Sequence, residues 1–358
     1  MIGQYKGFSS WLEKESPNQI HIWCYAHCLN LIILETTSIS TASVSLFGLL
    51  NSCAAFLRDS HKRMDVWRSV TTDSRVLNLI GQTCWWAKDV ALKKVFGIFN
   101  DPSGSLFITI VKVLLSVSLG NEDFNSDTRS TAVALLKSLV KYETILIAQL
   151  YLKIFSHTTS LSKYLQTEGM YVLQAQYMVD STVEVLKKES RNFENVLNAA
   201  KLFVSWANNE FEKCSIDLVV EEVLPTIRIP TKKNLNLNNV STAPTSATSK
   251  FEYTVHNVAM DIVVSKMQQR FAKHSELSAN FAYLDPRNFS KELPVTAFAV
   301  LKNELQDFAS KWEKLKLKLP GTYLVQEEDN EDDEDEEEEM TLNYENQQQK
   351  IEQCKEKK

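Results

Sequence analysis

Residues 128–155 read TRSTAVALLKSLVKYETILIAQLYLKIF, the most regular stretch of the chain. Its large apolar side chains recur every three or four residues over five turns: Leu135, Leu139, Tyr142, Leu146, Leu150 and Ile154. Spacings of three and four place side chains on one face of an α-helix, where they can be buried together. The stretch therefore predicts one long amphipathic helix and favours a mainly α-helical fold.

The same spacing extends over most of the chain. Further helices are predicted at 26–35, 41–58, 61–80, 85–99, 105–119, 171–188, 191–213, from 253 onward and at about 295–315. The chain of 358 residues has only 9 glycines and 8 prolines, the residues that most disfavour helix interiors. This scarcity argues against glycine-rich dinucleotide folds, β-propellers and collagen-like arrays.

One segment departs from the helical pattern. Residues 19–25, Gln-Ile-His-Ile-Trp-Cys-Tyr, alternate in part and are rich in β-branched and aromatic types, so they predict a short strand. This strand would run directly into the helix at 26–35. A single strand leaves both of its edges unpaired, so we expect the first 30 residues to be poorly ordered or rearranged.

The charge is divided unevenly along the chain. Twelve of the thirteen residues in 327–339 are acidic, and residues 327–358 carry 15 acids against 4 bases. Subtracting this −11 from the net charge of −6 leaves +5 for residues 1–326. The acidic tail is predicted to be disordered. It has three interpretations: a solubilising tail, a segment that attracts basic partners such as histones, or a mask for the basic body.

Several features bear on compartment and organisation. Residues 225–250 contain three prolines and many Thr, Ser and Asn, which predicts a flexible connector. The amino terminus lacks a signal-peptide pattern, and no apolar run reaches the roughly 18 residues of a membrane span. Six scattered cysteines show no disulfide framework. We therefore expect an intracellular protein that does not bind membranes or a small-molecule substrate.

The densest group of reactive side chains lies in the segment His21-Ile-Trp-Cys24-Tyr-Ala-His27-Cys28. Thiolate and imidazole are good zinc ligands, but a structural zinc site needs four ligands, usually from two separated pairs. No second Cys/His pair follows at a fitting spacing. The segment is interpreted as a packed strand-to-helix junction with no metal, and the chain has no glycine-rich phosphate loop that would indicate a nucleotide cofactor.

A basic cluster lies between two predicted helices: Arg58, His61, Lys62, Arg63 and Arg68. Such a cluster can contact nucleic-acid phosphates. It can equally be an ordinary solvated face, and the residues alone favour that interpretation.

Several motifs carry a family resemblance. The segments MIGQYKGF (residues 1–8) and IWCYAHCLNL (residues 22–31) closely resemble hAT-family transposases, specifically the domesticated subgroup associated with MYM-type zinc fingers. Residues 60–63 resemble the family's basic helix start, 83–89 its Thr-Arg-Trp motif, 224–233 its Pro-Arg-Lys connector and 271–286 its late helical segment. The resemblance covers about residues 1–310. Its family-motif residues here are Cys24, His27, Thr83 and Trp85, whereas Cys84 stands where the family has arginine.

The resemblance implies a ribonuclease-H-like core interrupted by an all-helical insertion domain. It divides the chain into a core remnant (1–37), the helical insertion domain (38–224), the connector (225–250), further insertion-domain helices (251–318) and the acidic tail (319–358). The family cuts DNA with three metal-binding carboxylates. On this alignment the first two aspartates lie upstream of Met1, and the final glutamate falls in a stretch that this chain replaces with its acidic tail, so all three are expected to be missing. The Cys24 and His27 pair belongs to the core's architecture rather than its chemistry.

The expected function is that of a transposase-derived protein that is not an enzyme, has no cofactor, and binds at most nucleic acid or proteins. DNA or chromatin proteins are the expected partners, and the family favours the nucleus. Two alternatives stay open: a fragment of an active DNA transposase truncated by the gene model, and an acidic-tailed histone-binding or scaffold protein.

Overall fold

A computed structural model describes residues 23–71, 75–81, 85–120, 124–224 and 246–281, all within the first of two compact units, Met1–Ser290. The helices run in this order: α1 Tyr25–Thr37, α2 Thr41–Arg58, α3 His61–Val70, α4 Trp85–Phe96, α5 Phe107–Leu119, α6 Ser126–Leu139, α7 Tyr142–Leu165, α8 Val172–Glu189, α9 Phe193–Lys213, α10 Ala247–Phe251, a π-helical turn Glu252–His256, and α11 Asn257–Phe281. The prediction of a mainly α-helical fold is confirmed.

The predicted strand at 19–25 is wrong where the structure can test it. Trp23 and Cys24 are irregular, and Tyr25 is already the first residue of α1. The Tyr25 ring is buried against Phe271 and His274 of α11. The aromatic residue that suggested a strand is therefore covered by a helix and not by a neighbouring strand. No strand occurs in the described ranges, where Ile98 and Asp101 form only an isolated bridge. Residues 19–22 lie outside those ranges.

The helix predicted at 61–80 ends early, at Val70. Thr71 is extended, with φ −137° and ψ 141°, and residues 75–81 are irregular. Leu77 is buried, as its apolar character suggested, but it reaches the core from a non-helical segment. That segment is held by distant side chains, because the Ile80 N–H donates to Asn51 Oδ1 over 3.0 Å.

The stretch at 128–155 forms two helices, not one. The chain turns at Val140 and Lys141, where Lys141 has φ −65° and ψ 134°. The three-or-four-residue repeat continues across this turn, because Leu139 and Tyr142 are both buried. Apolar spacing alone therefore could not locate the break.

The helix predicted at 85–99 ends at Phe96, since Gly97 adopts φ +79°. The turn signal at 100–104 is confirmed, with Asn100 at φ 63°. Helix α10 begins at Ala247, inside the predicted connector, and Ser246 caps it. Residues 225–245, the predicted helix at 295–315 and the acidic tail fall outside the described ranges.

Apolar residues from α1 to α11 form one hydrophobic cluster. Helix α7 is central: it packs against α9, α8, α4, α2 and α1, while α11 packs against α8 and α1. No single helix in the described part of the chain is long and apolar enough to cross a membrane. Helices α1 and α2 pass that test only as a pair, and they are bent by 104° relative to each other.

Candidate nucleic-acid interface

The basic cluster lies at a tight corner where α2 ends and α3 begins. Arg58 is the last residue of α2, and Asp59 and Ser60 make the turn into His61, the first residue of α3. Ser60 is extended and its hydroxyl caps the N–H of Arg63 at 3.5 Å. The two helices pack against each other, and α3 also packs against α5, so the corner is fixed by the core. We call Arg58, His61 and Lys62 the basic corner.

The three residues of the basic corner are exposed. Their side chains make no hydrogen bond or ion pair with the residues that the structure describes. The corner also presents the start of α3, where the first N–H groups of a helix have no partner within the helix. Unpaired N–H groups and the positive end of the helix dipole favour anions, phosphate among them.

The Arg63 side chain packs against the end of α2 and is only partly exposed. Its guanidinium lies over the Phe56 ring, 4.4 Å from the ring centroid, and its Nε donates to the Phe56 carbonyl oxygen. Burial lowers the pKa of Arg63 from its ordinary value, and nearby Asp59 partly offsets this effect. Arg63 therefore ties α3 to the end of α2 through its Nε hydrogen bond and the contact of its guanidinium with the Phe56 ring.

Arg68 is exposed but already paired. Its Nη1 lies 2.8 Å from Asp65 Oδ1, and both side chains are about two-thirds exposed. Exposed pairs of this kind contribute only about 0–1 kcal/mol, so a phosphate group could compete for Arg68. Within the described ranges, three of the five basic residues predicted from sequence have no side-chain partner, Arg68 is paired with Asp65, and Arg63 is bound to Phe56.

The residues of the family resemblance lie elsewhere. Cys24 is exposed and precedes α1, where its carbonyl oxygen accepts from the Cys28 N–H at 3.0 Å. His27 is exposed and its ring stacks on Trp23, with centroids 5.6 Å apart. Thr83 lies outside the described residues, and only the backbone of Trp85 is described, as the first residue of α4.

Among the described residues, Cys24 and His27 are not brought to further potential metal ligands. In the ranges that the structure describes, no three His, Cys, Asp or Glu side chains come close enough to share a metal ion. Burial raises the pKa of the Cys28 thiol and takes that of Cys53 to about 12, so neither is an activated thiolate. The segment packs as a helix start, with His274 Nε2 2.6 Å from the Trp23 carbonyl oxygen.

A second polar group was not found from the sequence. Lys153 of α7 is 2 % exposed and pairs with Glu189 at the end of α8. The spacing of the sequence could have predicted that Lys153 is buried. It follows Leu146 by seven residues and Leu150 by three, which places it on the apolar face of the helix. A lysine at such a position needs a buried partner.

No protein-family model matches the chain, and no solved structure matches it significantly.

Proposed function

We propose that this is a transposase-derived, hAT-like helical protein that binds nucleic acid through the basic corner and does not cut it. The observation that carries the proposal is the position of Arg58, His61 and Lys62: Arg58 ends α2, His61 and Lys62 begin α3, and all three are exposed with no acidic partner among the described residues.

The charge of the chain supports electrostatic binding. Residues 1–326 carry +5, whereas the acid excess is confined to residues 327–358. A basic surface attracts the phosphate backbone of any sequence by displacing its counterions. The proposed interaction is therefore contact with phosphates; the corner offers no evident means of reading bases.

The resemblance supports binding without catalysis. In the hAT family the cutting chemistry belongs to the ribonuclease-H-like core, whereas residues 38–224 resemble the helical insertion domain. Phosphate binding needs only exposed cationic side chains, and the basic corner presents them. A nuclear location would bring the protein to DNA.

The proposal is tested by measuring how tightly the full chain binds a duplex DNA of arbitrary sequence across about 50–200 mM salt. Electrostatic binding predicts that log K falls linearly with log salt concentration, with a slope set by the number of phosphate contacts. Absence of binding at the lowest salt, or binding that does not respond to salt, would refute it.

The acidic run at 327–339 favours a second candidate, a protein that binds basic chromatin proteins such as histones. Twelve acids in thirteen residues can attract a basic partner electrostatically. The test is recovery of purified histones by the full chain and by a chain lacking 327–339. Equal recovery by the two forms would eliminate this candidate.

A further inference from the structure

A buried histidine lies in the π-helical turn that joins α10 to α11. His256 is the last residue of that turn and is 0 % exposed. π-helical turns are rare and are frequent at functional sites. The ring edge packs against Phe193 at the start of α9, with centroids 5.2 Å apart and an interplanar angle of 61°.

The hydrogen bonding of His256 accounts for only one ring nitrogen. Nδ1 lies 3.0 Å from the Asn257 side-chain oxygen, which can only accept, so Nδ1 carries the proton. Nε2 is buried and has no partner within the described part of the chain. This arrangement fits the neutral ring, because a second N–H at Nε2 would be buried without an acceptor.

The surroundings of His256 already hold two cations, each with its own acid. From α7, Lys153 lies 2.9 Å from Glu189 Oε2. From the turn before α9, the two terminal nitrogens of Arg191 lie 2.8 and 3.1 Å from the two oxygens of Asp261 in α11. A protonated His256 would be a third cation, and the two acids of this cluster, Glu189 and Asp261, are already paired with Lys153 and Arg191.

The surroundings of His256 lower its pKa overall, which also favours the neutral ring. Burial lowers the pKa of His256, the hydrogen bond with Asn257 raises it, Lys153 and Arg191 lower it further, and Asp261 raises it. His157 of α7, half-buried beside the Lys153–Glu189 pair, also has a lowered pKa, chiefly through burial. A histidine whose folded-state pKa is below its ordinary 6.5 stabilises the fold above pH 6.5, and this stabilisation is lost as the pH falls through the folded value.

We propose that His256 is an acid-sensitive latch that holds the segment Ala247–His256 on the body of the protein. Protonation of its buried ring places an N–H without an acceptor and an unpaired cation beside Lys153 and Arg191, and the π-helical turn opens. Opening exposes Phe251, which packs on Phe193 with ring centroids 6.0 Å apart. The latch is independent of nucleic-acid binding at the basic corner.

Hydrogen–deuterium exchange tests the latch directly. Protection factors, corrected for the intrinsic exchange rate at each pH, are compared for amides in 247–256 at about pH 7.5 and about pH 5, on either side of the ordinary histidine pKa. The latch predicts a loss of protection at the lower pH that is confined to this segment, while α2 keeps its protection. Equal protection at the two pH values would overturn the proposal.

Two variants identify the responsible ring. His256→Phe keeps an aromatic ring against Phe193 but cannot gain a proton. In this variant, the protection of the amides in 247–256 should no longer depend on pH. The matched control His157→Gln removes the neighbouring titrating ring and should leave the pH dependence in place. The opposite pattern, with dependence lost in His157→Gln and kept in His256→Phe, would assign the effect to His157 and overturn the proposal.

A measurement on the unmodified protein covers the case in which His256→Phe does not fold. The His256 ring protons are followed by NMR through a pH titration. The latch predicts that the ring titrates below pH 6.5 together with the loss of protection. Titration at or above the ordinary value, or titration without loss of protection, would contradict it.

Discussion

The Tyr151 hydroxyl in the middle of α7 lies 2.8 Å from the Thr36 carbonyl oxygen near the end of α1. The same hydroxyl lies 2.8 Å from Ser43 Oγ in the first turn of α2. Tyr151 is fully buried, and burial raises the pKa of its hydroxyl, so the group stays protonated. One side chain of the central helix thus fixes the turn between α1 and α2, which joins the amino-terminal segment to the helical core.

Replacing Tyr151 with phenylalanine should destabilise the protein by about 1–2 kcal/mol, because the buried Thr36 carbonyl and Ser43 hydroxyl lose their shared partner. Urea unfolding followed by circular dichroism measures the change. Tyr253→Phe is the control, since that ring is 60 % exposed, and it should change stability by less than about 0.5 kcal/mol. Equal effects of the two substitutions would show that the Tyr151 hydroxyl is not an anchor.

Two acidic residues of α8 form ion pairs that differ in burial. Glu189 pairs with the buried Lys153 of α7, and Glu184 pairs with the exposed Lys187 of α8 itself. Glu189→Gln should cost about 2–4 kcal/mol, because it leaves the buried Lys153 ammonium without its counter-charge. Glu184→Gln removes an exposed pair with Lys187, at 2.7 Å, and should cost less than about 1 kcal/mol. The measurement is the free energy of unfolding in urea. Similar costs for both variants would mean that Lys153 does not depend on Glu189.

The same pair predicts a pH dependence at the acid end. The hydrogen bond from Lys153 lowers the pKa of Glu189 below its ordinary 4.5, with burial opposing. Its stabilisation is therefore complete above pH 4.5 and is lost as the pH falls through the lower folded value. The difference in unfolding free energy between the unmodified protein and Glu189→Gln should shrink on acidification below pH 4.5. A difference that stays constant there would contradict this account.

Gly97 ends α4 at a position that only glycine fits. Its φ is +79°, and an added Cβ would lie 2.5 Å from the Asp101 carbonyl oxygen. Gly97→Ala should cost about 3 kcal/mol or more, since backbone strain and a steric clash add. Gly104→Ala is the control, with φ +70° but open space around the Cβ, and should cost about 1–2 kcal/mol. The free energies of unfolding of the two variants are compared by urea unfolding. Equal losses of stability would show that the clash at Gly97 does not contribute.

Helix positions were predictable where a local pattern decides them. Helix α2 has the predicted bounds, because Ser40 caps its start and apolar residues recur along it. The end of α3 was not predictable, since Leu77 is buried from an irregular segment that Asn51 holds across 29 residues. The turn at Val140 was equally hidden, because buried residues continue on both sides of it.

The candidate interface was predictable in composition but not in detail. The sequence identifies five basic residues, yet it does not show that Arg63 lies over Phe56 while Lys62, its neighbour, is exposed. That difference depends on how α2 and α3 meet at the corner. The polar cluster at Lys153 depends on the same kind of information, since Glu189 lies 36 positions further along the chain.

The central claim is that the basic corner contacts phosphates, and the salt dependence of duplex-DNA binding tests it most directly. Three forms are compared: the unmodified chain, Arg58→Gln/Lys62→Gln, and the control Lys188→Gln/Lys273→Gln. The control removes the same charge from exposed positions on α8 and α11, where neither side chain has a partner among the described residues. Both doubles keep the same net charge, so any difference between them reports position.

The slope of log K against log salt concentration is negative, and each lost phosphate contact makes it shallower by about 0.9. The account predicts that Arg58→Gln/Lys62→Gln makes the negative slope shallower by about 1.8 and weakens binding, while the control keeps the slope of the unmodified chain. Identical slopes for the two double variants would contradict it.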